Sequence, residues 1–93
     1  MNGAVIICYD IASNRRRRRI ARILLGYGDR VLESVFVCRI SAPQLQQLQA
    51  SLARIVTAQD KLSYWQICGH DWQDRIWQGK PLQLMQDEQY FIY

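Results

Sequence analysis

The feature that most limits how this chain can fold is a short apolar run that leads directly into a basic, amphipathic helix pattern. Residues 4–11, AVIICYDI, are rich in β-branched side chains, which predicts a strand covered on both faces. A helix then begins at a cap provided by Ser13 or Asn14 and is expected to end at Gly26 and Gly28. Its apolar side chains recur with helical spacing at Ile20, Ile23, Leu24 and Tyr27. A strand followed by a one-sided helix implies a sheet with a helix packed on it.

The rest of the chain continues this alternation. In chain order, the sequence predicts extended structure over 30–40, a helix over 43–56, a strand over 61–69, and short strands at 75–78 and 89–93. Ser41 and Pro43 are typical of the start of the second helix.

If the extended segment holds two strands, the order is βαββαβ. That is the ferredoxin-like α+β arrangement, with one antiparallel sheet, two helices on one face and an extra C-terminal strand at 89–93. We expect a single domain over 1–93. Residues 30–40 contain no turn dipeptide, and Glu33-Ser34 is their main polar break, so patterning alone does not require the hairpin.

Composition narrows the class of protein. Hydrophobic residues make up 49% and charged residues 22% of the 93 residues, which is typical of a folded domain. The net charge is +4, and five of the twelve basic residues form one run, which favours a polyanionic partner. Cys8, Cys38 and Cys68 lack metal-site spacing, so we expect them to be reduced and buried. No stretch is long enough to span a membrane and no leader is evident, so we expect a cytoplasmic protein.

The arginine run has three interpretations: a disordered arm, a solvated helix face, or a surface for nucleic acid. An apolar stripe follows in phase, which argues against a disordered arm. A helical wheel places four arginines opposite that stripe and Arg16 and Arg17 nearer to it. The four are Arg15, Arg18, Arg19 and Arg22. No acidic residue lies between 11 and 28 to pair with them, and they crowd a helix N-terminus, so we favour phosphate as their partner over the solvated face.

Asp10 is the only acidic residue among the first 28 and ends the first predicted strand. The simpler interpretation is a turn or cap that leads into the helix. The alternative is a ligand for Mg²⁺, which binds carboxylates, waters and substrate phosphates. One carboxylate is a weak site, but a two-fold dimer would bring two copies of Asp10 together.

Three features in this order resemble a known family: YDI at the end of the first strand, an arginine-rich helix, and YGDRVLESVF after it. They are similar to the small CRISPR-associated protein of the spacer-acquisition machinery. The resemblance runs over essentially the whole chain. It implies a ferredoxin-like homodimer, a hairpin within 30–40, a larger integrase subunit as partner, and metal-dependent endoribonuclease or endodeoxyribonuclease activity.

The resemblance also assigns individual residues. Asp10 matches the metal-binding aspartate of the family, which two subunits share. Five residues match positions of the family pattern beside it: Tyr9, Arg17, Arg19, Arg30 and Phe36. The chain departs from many relatives at Val37-Cys38, where they have an acidic residue and a glycine. The helical wheel and the family pattern agree on Arg19.

Three functions follow as hypotheses. The first is a CRISPR adaptation subunit that binds duplex DNA as a homodimer with the integrase subunit and hydrolyses phosphodiesters with Mg²⁺. The second is a stand-alone, toxin-type endoribonuclease that cuts single-stranded RNA. The third is a non-catalytic RNA-binding module, although the aromatic pattern of the RRM is absent from the sequence. This interpretation gives no catalytic role to His70, Ser34 or the three tryptophans. His70 is expected in a surface loop.

Overall fold

A computed structural model of the chain describes residues 3–73. The elements in chain order are β1 (Ala4–Asp10), α1 (Asn14–Leu25), β2 (Asp29–Leu32), β3 (Val35–Cys38), α2 (Ala42–Ala53), β4 (Lys61–Ile67) and a short α3 (Gly69–Gln73). The strands form one antiparallel sheet in the order β2-β3-β1-β4. This is the ferredoxin-like α+β fold that the sequence predicts. The predicted strands at 75–78 and 89–93 lie outside the described residues.

Both long helices begin at the residues that the sequence indicates. Ser13 caps α1, where its side chain accepts a hydrogen bond from the Arg16 N–H, and Gly26 follows the last turn. Ser41 and Gln44 form a reciprocal capping box at the start of α2. A side chain at Gly28 would meet the Val37 carbonyl oxygen at 2.3 Å, so the chain can return to the sheet here only through a glycine.

The hairpin within 30–40 is present, with Glu33 and Ser34 as its two-residue turn. Two hydrogen bonds from Tyr9 of β1 stabilise this turn. Its backbone N–H donates to the Ser34 carbonyl at 3.1 Å, and its phenol donates to the Glu33 carbonyl at 3.3 Å. The turn therefore forms without a strong turn sequence because a distant strand satisfies its carbonyl groups.

The main core lies between the sheet and the two long helices. This core contains Val5, Ile7 and Tyr9 from β1. Side chains of α1 and α2 pack against them: Ile20, Leu24, Leu48 and Leu52. The exposure of Ile20, Leu24, Leu48 and Leu52 is zero, so the predicted apolar stripes face the sheet. Both long helices accordingly cover one face.

The described residues cover the other face of the sheet only in part, and the half-burial of Ile6 and Cys8 corrects the prediction that β1 is buried on both faces. Ile6 and Cys8 of β1 are half-buried there, and Trp65 of β4 remains 60% exposed. Trp72 of α3 packs against Ala4 and Val37 at one end of this face. Among residues 3–73, the helix-covered face is thus the closed one.

Two smaller predictions also need correction. His70 lies in α3 and not in a surface loop, because this turn is anchored by the buried Trp72. The cysteines are not all buried: Cys38 is buried, Cys8 is half-buried and Cys68 is exposed. Cys68 falls just after β4, where the chain leaves the sheet. No helix in the described part of the chain is long and apolar enough to cross a membrane.

Candidate functional site

One arginine of the run, Arg16, pairs with a residue that sequence reasoning missed. Asp60, in the loop before β4, accepts hydrogen bonds from Nε and Nη2 of Arg16, both at 3.0 Å. It also accepts from the backbone N–H of Ala12 and from the backbone and hydroxyl of Thr57. The Asp60 side chain has no exposed surface. One carboxylate therefore joins α1, the loop before it and the loop before β4.

The charge of Asp60 is strongly favoured by these partners. The hydrogen bond from Arg16 is the largest influence, and it holds the pKa of the carboxyl group well below its usual range. The same contact raises the pKa of Arg16. No local pattern marks Asp60, because its partner lies 44 residues away.

Arg17 also turns back onto the protein. Its guanidinium donates to the side chain of Asn14 and, at 2.9 Å, to the carbonyl of Ile11. Arg16 and Arg17 are half-buried, as the helical wheel predicts for the two arginines nearest the apolar stripe.

The remaining arginines of α1 face solvent. Arg15, Arg18, Arg19 and Arg22 are all exposed, which confirms the orientation that the helical wheel predicts. Within residues 3–73, none of these four has an ion-pair partner, and Arg16–Asp60 is the ion pair. The helix therefore presents a row of cations that form no ion pair with the described residues. That this row binds nucleic acid stays a prediction.

An open groove of about 410 Å³, called the arginine groove below, runs between α1 and the β2–β3 hairpin. Its lining combines cations with apolar and acidic groups: Tyr9, Asn14, Arg17, Arg18, Ala21, Arg22, Leu25, Arg30 and Glu33. Arg30 reaches the groove from β2, where its guanidinium lies 5.3 Å from the centre of the buried Phe36 ring. Arg15 and Arg19 lie outside this groove, so the structure brings Arg17, Arg18, Arg22 and Arg30 together.

Tyr9 and Phe36, predicted near the site, are both buried. Their rings stack with centroids 6.2 Å apart. Since Tyr9 also holds the hairpin turn, this pair fixes β2 relative to β1 and so positions Arg30 at the groove. Their role in the fold is to support the site from beneath.

Asp10 lies on the other side of the sheet from the arginine groove. Tyr9 packs beneath the helices, and side chains alternate along a strand, so Asp10 points towards the partly open face. It is exposed, and Lys61 of β4 stands directly opposite it in the strand register. The two line a shallow cavity of about 230 Å³ together with Cys8, Tyr9 and Ser63. One chain therefore does not place Asp10 beside the arginines.

Residues 3–73 of one chain do not provide a complete site for Mg²⁺. Among residues 3–73, no three His, Cys, Asp or Glu side chains cluster closely enough to hold a metal ion. Asp10 contributes one exposed carboxylate, and the nearest cross-strand neighbour, Lys61, is a cation. This ion is usually bound by one or two carboxylates together with waters and substrate phosphates, so Asp10 supplies at most one of the protein ligands among the described residues.

At Val37-Cys38, where the sequence departs from many relatives, the structure continues a regular strand. Val37 packs on the partly open face and Cys38 on the helix-covered face. Burial, assisted by the nearby charge of Asp29, raises the pKa of the Cys38 thiol to about 11. Cys38 is therefore a core side chain with little thiolate character.

Comparison with known proteins agrees with this fold. The family model described as "CRISPR associated protein Cas2" matches residues 3–75. CRISPR-associated endoribonuclease Cas2 1 of Chloroflexus aurantiacus is 38% identical over an alignment of 86 residues, which covers 88% of this chain and 92% of that protein. CRISPR-associated endoribonuclease Cas2 3 of Synechocystis is 40% identical over an alignment of 79 residues, which covers 83% of this chain and 86% of that protein.

Solved structures give the same result. Streptococcus pyogenes Cas2 superposes with a TM-score of 0.71 at 25% identity, covering 83% of this chain and 99% of that one. A second Cas2 structure superposes with a TM-score of 0.72 at 28% identity, covering 89% and 97%. With the family model, the relatives and the fold in agreement, the chain belongs to the Cas2 family of CRISPR-associated proteins.

Proposed function

We propose that this chain is a CRISPR adaptation subunit that binds duplex DNA as a homodimer and hydrolyses phosphodiester bonds at Asp10. A nuclease role connected with CRISPR follows from the family, whose curated members are named endoribonucleases. The observation that supports the site is the position of Asp10, an exposed carboxylate at the end of a central strand on the partly open sheet face.

In this proposal a homodimer supplies the second carboxylate that residues 3–73 of one chain do not place beside Asp10. Two copies joined across the partly open face would bring their Asp10 residues towards a common axis. Two carboxylates suit Mg²⁺, which would stabilise negative charge on a phosphodiester held there. The like charges of the paired carboxylates repel each other, so the pair itself favours a cation between them. Hydrolysis in this proposal requires both subunits.

Duplex DNA binding rests on the exposed row of α1. Arg15, Arg18, Arg19 and Arg22 have no acidic partner among the described residues, and guanidinium groups match phosphate oxygens in bidentate geometry. Such contacts bind the DNA backbone without reading its sequence. The partnership with the integrase subunit in spacer acquisition follows from the resemblance to the family.

The structure argues against the RNA-binding module. In an RRM, aromatic side chains on the two central strands of the open sheet face stack on bases. Here the central strands β1 and β3 present Ile6, Cys8, Val35 and Val37 on that face. Within the described sheet, the exposed aromatic residue is Trp65, and it lies on the edge strand β4. A toxin-type endoribonuclease remains an outcome of the cleavage assay.

The test is the substitution Asp10→Asn, which removes the charge and keeps the shape. The expected result is loss of cleavage by about 100-fold or more, with binding within about threefold of the wild type. Labelled single-stranded RNA, single-stranded DNA and duplex DNA are each incubated with Mg²⁺ or with EDTA. Cleavage of RNA alone would favour the toxin-type endoribonuclease.

Asp71→Asn is the matched control, because Asp71 is an exposed acid in α3 that has no part in the proposed site. It should cleave like the wild type. If Asp10→Asn cleaves at the wild-type rate, Asp10 does not carry the reaction.

A further inference from the structure

The arginine groove contains two groups that a phosphate backbone would not use. Leu25, at the end of α1, is 53% exposed and lines the groove beside Ala21. Glu33, in the hairpin turn, is an acidic residue that lines the same groove as Arg17, Arg18, Arg22 and Arg30 and forms no ion pair with them. An exposed leucine gains nothing from a phosphate, and a carboxylate repels it. The lining therefore indicates an occupant that is only partly anionic.

A nucleotide with an unpaired base has this mixed character. Its phosphate is an acceptor for guanidinium groups, its base is a flat surface with low polarity on both sides, and several bases carry an amino group that can donate to a carboxylate. The groove volume of about 410 Å³ falls within the roughly 300–1,000 Å³ of small-molecule clefts. In a duplex the base is stacked and paired and cannot enter such a groove.

We propose that the groove between α1 and the β2–β3 hairpin binds one unpaired nucleotide, from a single-stranded segment or a strand end. The arginines hold its phosphate, Leu25 contacts its base, and Glu33 accepts a hydrogen bond from a base amino group. This inference deepens the proposed function and depends on its premise that the basic face of α1 binds nucleic acid.

The groove is held in shape before any ligand binds. One wall is the α1 surface, and the other is the hairpin, which Tyr9 fixes through two hydrogen bonds to its turn. Arg30 is placed by its contact with the Phe36 ring. A preformed groove loses little conformational freedom when it binds, which favours a defined subsite over loose electrostatic contact.

The test compares oligonucleotides that differ only in their bases. Fluorescence anisotropy in EDTA measures the binding of the full chain to a labelled single-stranded octamer, to an abasic octamer with the same number of phosphates, and to a duplex. The wild type should bind the normal octamer about tenfold more tightly than the abasic one. DNA and RNA octamers are both used, and the tighter one identifies the sugar that the groove accepts.

Three variants locate the effect. Leu25→Asn should reduce the preference for the normal over the abasic octamer to less than about twofold and leave duplex binding unchanged. Arg30→Gln should weaken both octamers by about tenfold, because it removes a phosphate contact. Arg54→Ala is the matched control: it removes an exposed arginine at the end of α2, away from the groove, and should change each affinity by less than about twofold.

Equal affinity of the wild type for the normal and abasic octamers would overturn the inference, since the groove would then hold phosphates alone. An unchanged base preference in Leu25→Asn would also overturn it. This inference and the proposed function can fail separately. If Asp10→Asn still cleaves, hydrolysis at Asp10 is refuted and the base preference is unaffected. If the wild type shows no base preference, cleavage and duplex binding are unaffected.

Discussion

By binding Arg16, Asp60 removes one member of the arginine run from those available to a ligand. It binds Arg16 through both carboxylate oxygens and secures the Ala12 N–H, which lies two residues after Asp10. Lys61 follows Asp60 directly and faces Asp10 across the strands. The same carboxylate therefore orders the start of α1 and the loop that continues from the candidate catalytic residue.

Replacing Asp60 with Asn should make stability less dependent on acid pH. The folded-state pKa of Asp60 is lowered, so its contribution is fully present above the unfolded value of about 3.9 and is lost as the pH falls below it. Urea unfolding should show Asp60→Asn to be less stable than the wild type at pH 7, with the difference shrinking between about pH 5 and pH 2. A difference that stays constant over this range would contradict the prediction.

At the scale of elements, α1 serves two purposes on opposite sides. Ile20, Ala21 and Leu24 pack on the sheet, while its exposed arginines form an outward row. No acidic residue lies in the first turn to offset that charge. The helix is thus held by its packing and by the Asp60 contact, and its outer charge is free to serve binding.

The arginine row of α1 should control the salt dependence of duplex binding. Each phosphate contact contributes about −0.9 to the slope of log K against log salt. Removing two contacts with Arg19→Ala and Arg22→Ala should therefore flatten the slope by about 2, without changing the weak sequence preference. Titrations of duplex DNA at several salt concentrations measure it, with Arg54→Ala as the control of equal chemistry. An unchanged slope in the double variant would show that these arginines form a solvated helix face and do not contact phosphates.

At the scale of the whole molecule, the partly open sheet face carries large exposed apolar side chains among residues 3–73. Trp65 and Leu32 are 60% and 67% exposed, respectively, and Trp65 shares that face with the half-buried Ile6 and Cys8. Exposed apolar groups of this size on one face mark an interaction surface. A second copy of the chain on this face would also unite the Asp10 residues.

Trp65→Lys should therefore convert the proposed dimer into a monomer and abolish cleavage together. Sedimentation velocity measures the first effect, with a dimer dissociation constant raised at least about tenfold, and the RNA and DNA cleavage assay measures the second. Leu25→Lys, which changes an exposed leucine on the helix-covered side of the sheet, should remain dimeric. A monomeric Trp65→Lys chain that cleaves at the wild-type rate would show that one subunit suffices.

Much of the fold could be predicted from local patterns. The spacing of apolar residues and the caps at Ser13 and Ser41 indicate both long helices, and the order of elements indicates the α+β class. The hairpin could not be predicted from its turn residues, because the groups that stabilise it come from Tyr9 on another strand. The short helix α3 was missed for a related reason, since its anchor is the tertiary burial of Trp72.

The sequence by itself determined β1, β4 and the two long helices, the outward orientation of four arginines and the place of Asp10 at the end of a strand. Each of these depends on residues within a few positions of one another. Only the tertiary structure decided the pairing of Arg16 with Asp60, the groove shared by α1 and Arg30, and the separation of Asp10 from that groove by the sheet. Those relations join residues far apart in the chain, and the physical reason is that packing of the closed fold, not local spacing, brings them within contact distance.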